Sequence, residues 1–119
     1  MKLKKYFILV FISLLGGCAD RSFWVDDVSE KQTFIVKKSS PIPMIDPLVK
    51  VYVKGYLDGK ALVYIPNGPG IIDDFYTIKL NKGYIKKGLS RAFTYQQFSI
   101  VYQPITAKSG HLEIDVDAP

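Results

Sequence analysis

From residue 31 onward the chain is built on alternation. In "LVKVYVKGYL", Leu48 to Leu57, Val49, Val51 and Val53 point one way and Lys50, Tyr52 and Lys54 the other. A period of two marks a strand with one buried and one solvated face. "FSIVYQP" (Phe98 to Pro104) sets Phe98, Ile100 and Tyr102 against Ser99, Val101 and Gln103, and "HLEIDV" (His111 to Val116) turns Leu112, Ile114 and Val116 inward. "KQTFIVKK" (Lys31 to Lys38), "KALVYIP" (Lys60 to Pro66), "FYTIKL" (Phe75 to Leu80) and "YIKKG" (Tyr84 to Gly88) read as further strands, with "RAFTY" (Arg91 to Tyr95) as a short extra one. Asp58-Gly59 is a strong hairpin signal between two of these runs. "SSPIPMIDP" (Ser39 to Pro47) is a loop or edge segment, because its three prolines remove donors from any ladder.

After residue 18 no window shows a convincing helical period. About seven to eight short antiparallel strands at this spacing predict an all-β chain folded as a small immunoglobulin-like β-sandwich. The Cys–Trp–Cys pattern of true immunoglobulin domains is absent, so this concerns architecture only.

The first residues follow a different pattern. Lys2, Lys4 and Lys5 precede the apolar run "YFILVFISLL", Tyr6 to Leu15, which gives way to Gly16, Gly17 and Cys18. A basic start, an apolar run and small residues define a secretory signal peptide, here expected as a helix. The run falls short of the roughly 20 residues of a membrane span. "LGGC", Leu15 to Cys18, resembles the lipobox of bacterial lipoproteins. That resemblance implies cleavage between Gly17 and Cys18, diacylation of the Cys18 sulfur and acylation of the new amino group. It covers only about the first twenty residues. It implies the division 1–17 signal peptide, 18–30 lipidated tether and 31–119 β-sandwich domain. The residue after Cys18 is Ala19 and not aspartate, which in enterobacteria-like sorting favours the outer membrane, facing the periplasm. The inner membrane and the cell surface are the alternatives.

Cleavage there changes the charge. Lys2, Lys4 and Lys5 leave and no acid leaves with them, so the formal charge falls from +5 to +2. The basic balance is thus partly a property of the leader, and a nucleic-acid partner is not expected. Cys18 is the only cysteine, so the domain must hold its fold by core packing without a disulfide.

Candidate chemistry is sparse. His111, the only histidine, shares a strand face with Glu113 and Asp115, a triplet more typical of a solvated face than of a metal or proton site. Ser90, Ser99 and Ser109 sit in no recognisable nucleophile turn. Asp73 and Asp74 follow "NGPG" in a loop that matches neither a calcium loop nor a phosphate loop. Neither a cofactor nor a catalytic set is expected. Tyrosine is the distinctive content: eight in all, seven of them after Cys18. Tyr52 and Tyr56 share a face with Lys50 and Lys54, and Tyr64 and Tyr84 are expected on the surface too. Tyrosines among lysines suit a protein or glycan contact surface. Ordinary sheet composition accounts for the same residues. The candidate binding surface is therefore Tyr52, Lys54 and Tyr56, with Asp73 and Asp74 on a separate loop.

The expected function is a lipid-anchored, non-enzymatic binding or accessory module with a protein partner in the cell envelope. The alternative is an inhibitor or immunity-type lipoprotein that blocks a periplasmic enzyme, toxin or phage, with "NGPGIIDD" as the inserted loop. The anchor is directly testable. Cys18→Ser is expected to lose metabolic labelling with palmitate and to remain at precursor size on a gel; a processed, membrane-bound mutant would refute it.

Overall fold

The computed structural model describes residues 20–38, 48–93 and 95–118. Gly17, Cys18 and the leader lie outside the described residues, as does the proline-rich segment 39–47.

Eight strands follow one another: β1 (Asp20–Val25), β2 (Gln32–Lys37), β3 (Leu48–Leu57), β4 (Ala61–Tyr64), β5 (Thr77–Leu80), β6 (Gly83–Ala92), β7 (Gln97–Pro104) and β8 (Gly110–Asp117). A 3₁₀ turn, Asp74–Tyr76, leads into β5. The strands form two four-stranded antiparallel sheets, in the orders β1-β8-β3-β6 and β2-β7-β4-β5. The antiparallel sandwich expected from the alternation is what forms.

The connections follow a jelly-roll order. Every consecutive pair of strands lies in opposite sheets, except β4 and β5, which pair with each other. An immunoglobulin domain divides its strands differently. Asp58-Gly59 therefore makes no hairpin: β3 pairs with β6 and β8, and β4 with β5 and β7. What overrides the local turn preference is a clasp with the β7–β8 loop. The Asp58 carboxylate accepts from the Lys108 and Ser109 N–H groups at 2.8 and 3.0 Å and from Ser109 Oγ. The Lys60 carbonyl accepts from the N–H groups of Ile105, Thr106 and Ala107. A Cβ on Gly59 would stand 2.6 Å from the Thr106 backbone, so only glycine admits this approach. The chain is thus steered across to the other sheet.

Two other expectations change. Residues 20–25, polar enough to read as tether, form β1 along β8. Ser22 and Trp24 are exposed, Val25 is buried and Phe23 packs against the core, so the stretch alternates as a strand with one covered face. "YIKKG" and the start of "RAFTY" are a single strand, β6.

The core is mainly aliphatic. Val49, Val51, Val53 and Leu57 of β3 and Leu112, Ile114 and Val116 of β8 meet Val36, Val63, Ile78, Leu80, Ile100 and Tyr102 of the other sheet. Each such side chain contributes about 1.5–3 kcal/mol by leaving water. Tyr102 is fully buried, and its hydroxyl donates to the Val28 carbonyl at 2.6 Å, tying the β1–β2 turn to the core. Burial, with the Asp27 and Asp58 charges, pushes its phenol up to about 12. Lys38 is the one buried charged residue among the described residues, and its ammonium donates to the Phe93 carbonyl.

Tyr102→Phe leaves the Val28 carbonyl without this donor, and is expected to cost about 1–3 kcal/mol in urea unfolding. The backbone donors of Lys108 and Ser109 hold the Asp58 carboxyl down at about 2. A carboxyl depressed on folding stabilises above its unfolded value of 3.8 and loses that contribution as pH falls through about 2. Carbon-detected NMR titration of Asp58 should show this low midpoint; a midpoint at the unfolded value would mean the clasp is not made in solution.

Candidate functional site

The candidate surface grows from the outward half of the β3 alternation. With Val49, Val51 and Val53 in the core, Lys50, Tyr52, Lys54 and Tyr56 must face away from it. β8, the neighbouring strand, contributes its own outward set. The register places His111 beside Tyr56, Glu113 beside Lys54, Asp115 beside Tyr52 and Asp117 beside Lys50. An acidic column thus stands against a column of lysine and tyrosine. β1 adds Trp24 beside Glu113 and Ser22 beside Asp115, and β6 adds Tyr84 beside Tyr56 and Lys86 beside Lys54.

The middle of this face is a small polar network. Lys54 Nζ lies 3.5 Å from Glu113 Oε1 and 4.0 Å from Asp115 Oδ2. Ser22 Oγ donates to Asp115 Oδ1 at 2.6 Å. The Lys54 side chain is well exposed, so these pairs organise the surface more than they stabilise the fold. Aromatic rings frame the network. Tyr52 lies over Gly88, where an added Cβ would be 2.9 Å from its ring. Tyr84, 92% exposed, meets Tyr56 edge-on at 5.3 Å.

Two depressions open on this face. One, of about 330 Å³, is lined by Trp24, Lys54, Gly55, Tyr84, His111 and Glu113. The other, of about 320 Å³, is lined by Arg21, Ser22, Tyr52, Asp115, Val116 and Asp117. Gly55 is in the first for a geometric reason: at φ +147° a Cβ would fall 2.1 Å from the His111 carbonyl oxygen. Its missing side chain lets β3 and β8 close up beneath the groove between the two aromatic walls. Aromatic walls with convergent charged groups make a shallow site that can stack and hydrogen-bond.

The structure brings Tyr52, Lys54 and Tyr56 together and adds Trp24, Tyr84, Glu113 and Asp115 to them. Asp73 and Asp74 lie elsewhere, in the loop before β5. Asp73 caps the 3₁₀ turn, accepting from the Phe75 N–H at 3.0 Å, and Asp74 is 4.0 Å from Lys79. Tyr64, expected on the surface, is buried and lies near Gln103, because β4 buries both of its faces toward its end. His111, Glu113 and Asp115 do share one face; among the described residues no group of three or more His, Cys, Asp or Glu side chains is placed to hold a metal ion. Phe23 and Trp24, which interrupt the polarity of residues 19–30 and are expected to pack on the domain together, part company: Phe23 packs against the core and Trp24 is exposed on the outer face.

No protein-family model matches the chain. No curated protein matches it in sequence. Among solved structures it is similar to the solution NMR structure of a de novo designed double-stranded beta-helix, at 14% identity, over 82% of this chain and 95% of that one, with a TM-score of 0.40.

Proposed function

We propose that the protein is a lipid-anchored lipoprotein of the cell envelope, facing the periplasm from the outer membrane, and that its β-sandwich is a non-enzymatic binding module for an envelope assembly. The observation that carries the reading is the outer face of the β1-β8-β3-β6 sheet. There Trp24, Tyr52 and Tyr84 stand exposed around the Lys54–Glu113–Asp115 network. Exposed Trp and Tyr around organised charges are the usual anchors of protein contact surfaces.

The inhibitor alternative needs the 67–74 loop, "NGPGIIDD", free to enter another protein. That loop stands at the end of the sandwich where β1 begins, as Arg91 of β6 shows by donating to the Phe75 carbonyl at 2.8 Å near the start of β3. A lipid on Cys18 would hold it next to the bilayer. The sheet face runs along the strands instead and stays open to a partner. This favours the accessory reading.

Affinity capture from detergent-solubilised envelope tests it, comparing the wild type with Trp24→Ala/Lys54→Glu/Tyr84→Ala. All three side chains are exposed, so the variant is expected to unfold at nearly the wild-type denaturant concentration. The wild type should retain a membrane complex and the variant should lose it. Recovery of a soluble hydrolase or toxin by both proteins would overturn the accessory reading in favour of inhibition.

A further inference from the structure

The two ends of the sandwich differ in chemistry. One end holds the Asp58–Ser109 clasp and the β1–β2 turn with Asp27 and Glu30; its loops are polar apart from Ile105, and the exposed Trp24 and Tyr84 rings near it belong to the sheet face. At the other end β1 starts. The register puts Asp20 beside Asp117, Asp117 beside Lys50, and Leu48 beside Ala92. The loop from β4 to β5 and the turn from β6 to β7 emerge at this same end.

These two loops carry a concentration of exposed apolar side chains: Ile71 at 51%, Ile72 at 47%, Phe75 at 55% and Tyr95 at 64%. Phe75 and Tyr95 belong to one chain of ring contacts. Phe75 meets Tyr76 at 5.0 Å, Tyr76 meets the buried Phe93 at 5.6 Å, and Phe93 meets Tyr95 at 5.3 Å and Phe98 at 5.1 Å. The Arg91 guanidinium sits over the Phe75 ring at 4.4 Å. Pro66, Gly68 and Pro69 line a shallow groove with Phe93 and Tyr95, so the two loops form one continuous tip. Two acids share the loop: Asp73 is engaged in its cap, and Asp74, with its side chain exposed, lies 4.0 Å from Lys79.

Cys18 precedes Asp20 by two residues, a reach of at most about 7 Å. On the lipoprotein reading proposed above, on which this inference rests, no tether then separates the anchor from the domain. We infer that the Ile71–Ile72–Phe75–Tyr95 tip is a second membrane contact, seated in the interface of the bilayer that holds the lipid on Cys18. Apolar side chains with an aromatic ring and a guanidinium just behind them match the layered chemistry of that interface. The occupant follows from where the chain leaves the fold, since the anchor points this end, and not the Ile105 end, at the lipid. The opposite end stands roughly 25 Å away, at about 3.3 Å per residue along β8. Two contacts fix the domain upright, with the Trp24–Lys54–Tyr84 face turned sideways.

The test uses the full-length lipidated protein in vesicles of phosphatidylethanolamine and phosphatidylglycerol. Ile72→Cys, Tyr95→Cys and Ile105→Cys are each labelled with an environment-sensitive fluorophore, the acylated Cys18 being unreactive. Nitroxide-bearing lipids should quench the labels at positions 72 and 95 and leave the label at 105 bright. Equal and weak quenching at all three positions, with the acyl mass on Cys18 confirmed, overturns this inference and leaves the lipoprotein reading intact. Absence of the acyl mass refutes the lipoprotein reading, and the inference falls with it. Labels at 72 and 95 that stay bright in vesicles but are shielded by solubilised envelope proteins would assign the tip to a protein and overturn the membrane contact.

Discussion

The pairing of β3 with β8 is the constraint on which the rest of the molecule depends. Both strands lie inside one sheet, and in a strand the side chains alternate without exception between two faces. With Val51 beside Val116 and Val53 beside Ile114, the register delivers a solid aliphatic layer to the interior. The same register necessarily sets Tyr52 beside Asp115 and Lys54 beside Glu113 on the outside. A slip of one residue would send both sets to the wrong face. Core and candidate site are thus two sides of one alignment.

Jelly-roll connectivity distributes the remaining chemistry. Because all but one of the connections cross between sheets, the loops gather at the two ends and each end acquires its own character. At one, carboxylates accept backbone N–H groups: Asp58 from Lys108 and Ser109, Asp27 from Ser29. Those bonds close off the corners without a disulfide. At the other, a chain of aromatic rings from Phe75 to Tyr95 stands beside the Asp73 cap and leaves apolar edges in solvent. The β1-β8-β3-β6 face runs between the ends and carries charged pairs framed by rings. In the functional reading proposed here, one end meets the membrane and the face meets the partner.

Much of this was legible in the chain. The bounds of β3 and the inward sets of β3 and β8 follow from period-two alternation, and so does the shared face of Lys50, Tyr52, Lys54 and Tyr56. The turn at Asp58-Gly59 misled, because local turn preference does not encode the contact with Thr106 and Ser109 that sends the chain to the other sheet. Tyr64 misled because an outward position near the end of a short strand can still be covered. Trp24 stands out from the polar residues around it, but its exposed place beside Glu113 depends on a strand almost ninety residues away in sequence.

By itself, then, the sequence determined the class of structure and the two faces of its longest strands, since alternation is a local property of the backbone. It also carries the lipobox-like start from which an anchor is read. The tertiary structure decided which strands are neighbours, and with that everything made by more than one strand. The Lys54–Glu113–Asp115 network, the groove between Trp24 and Tyr84, and the apolar tip beside the first strand exist only through pairings between distant segments. Such pairings are selected by the packing of the whole core, which no short stretch of the chain encodes.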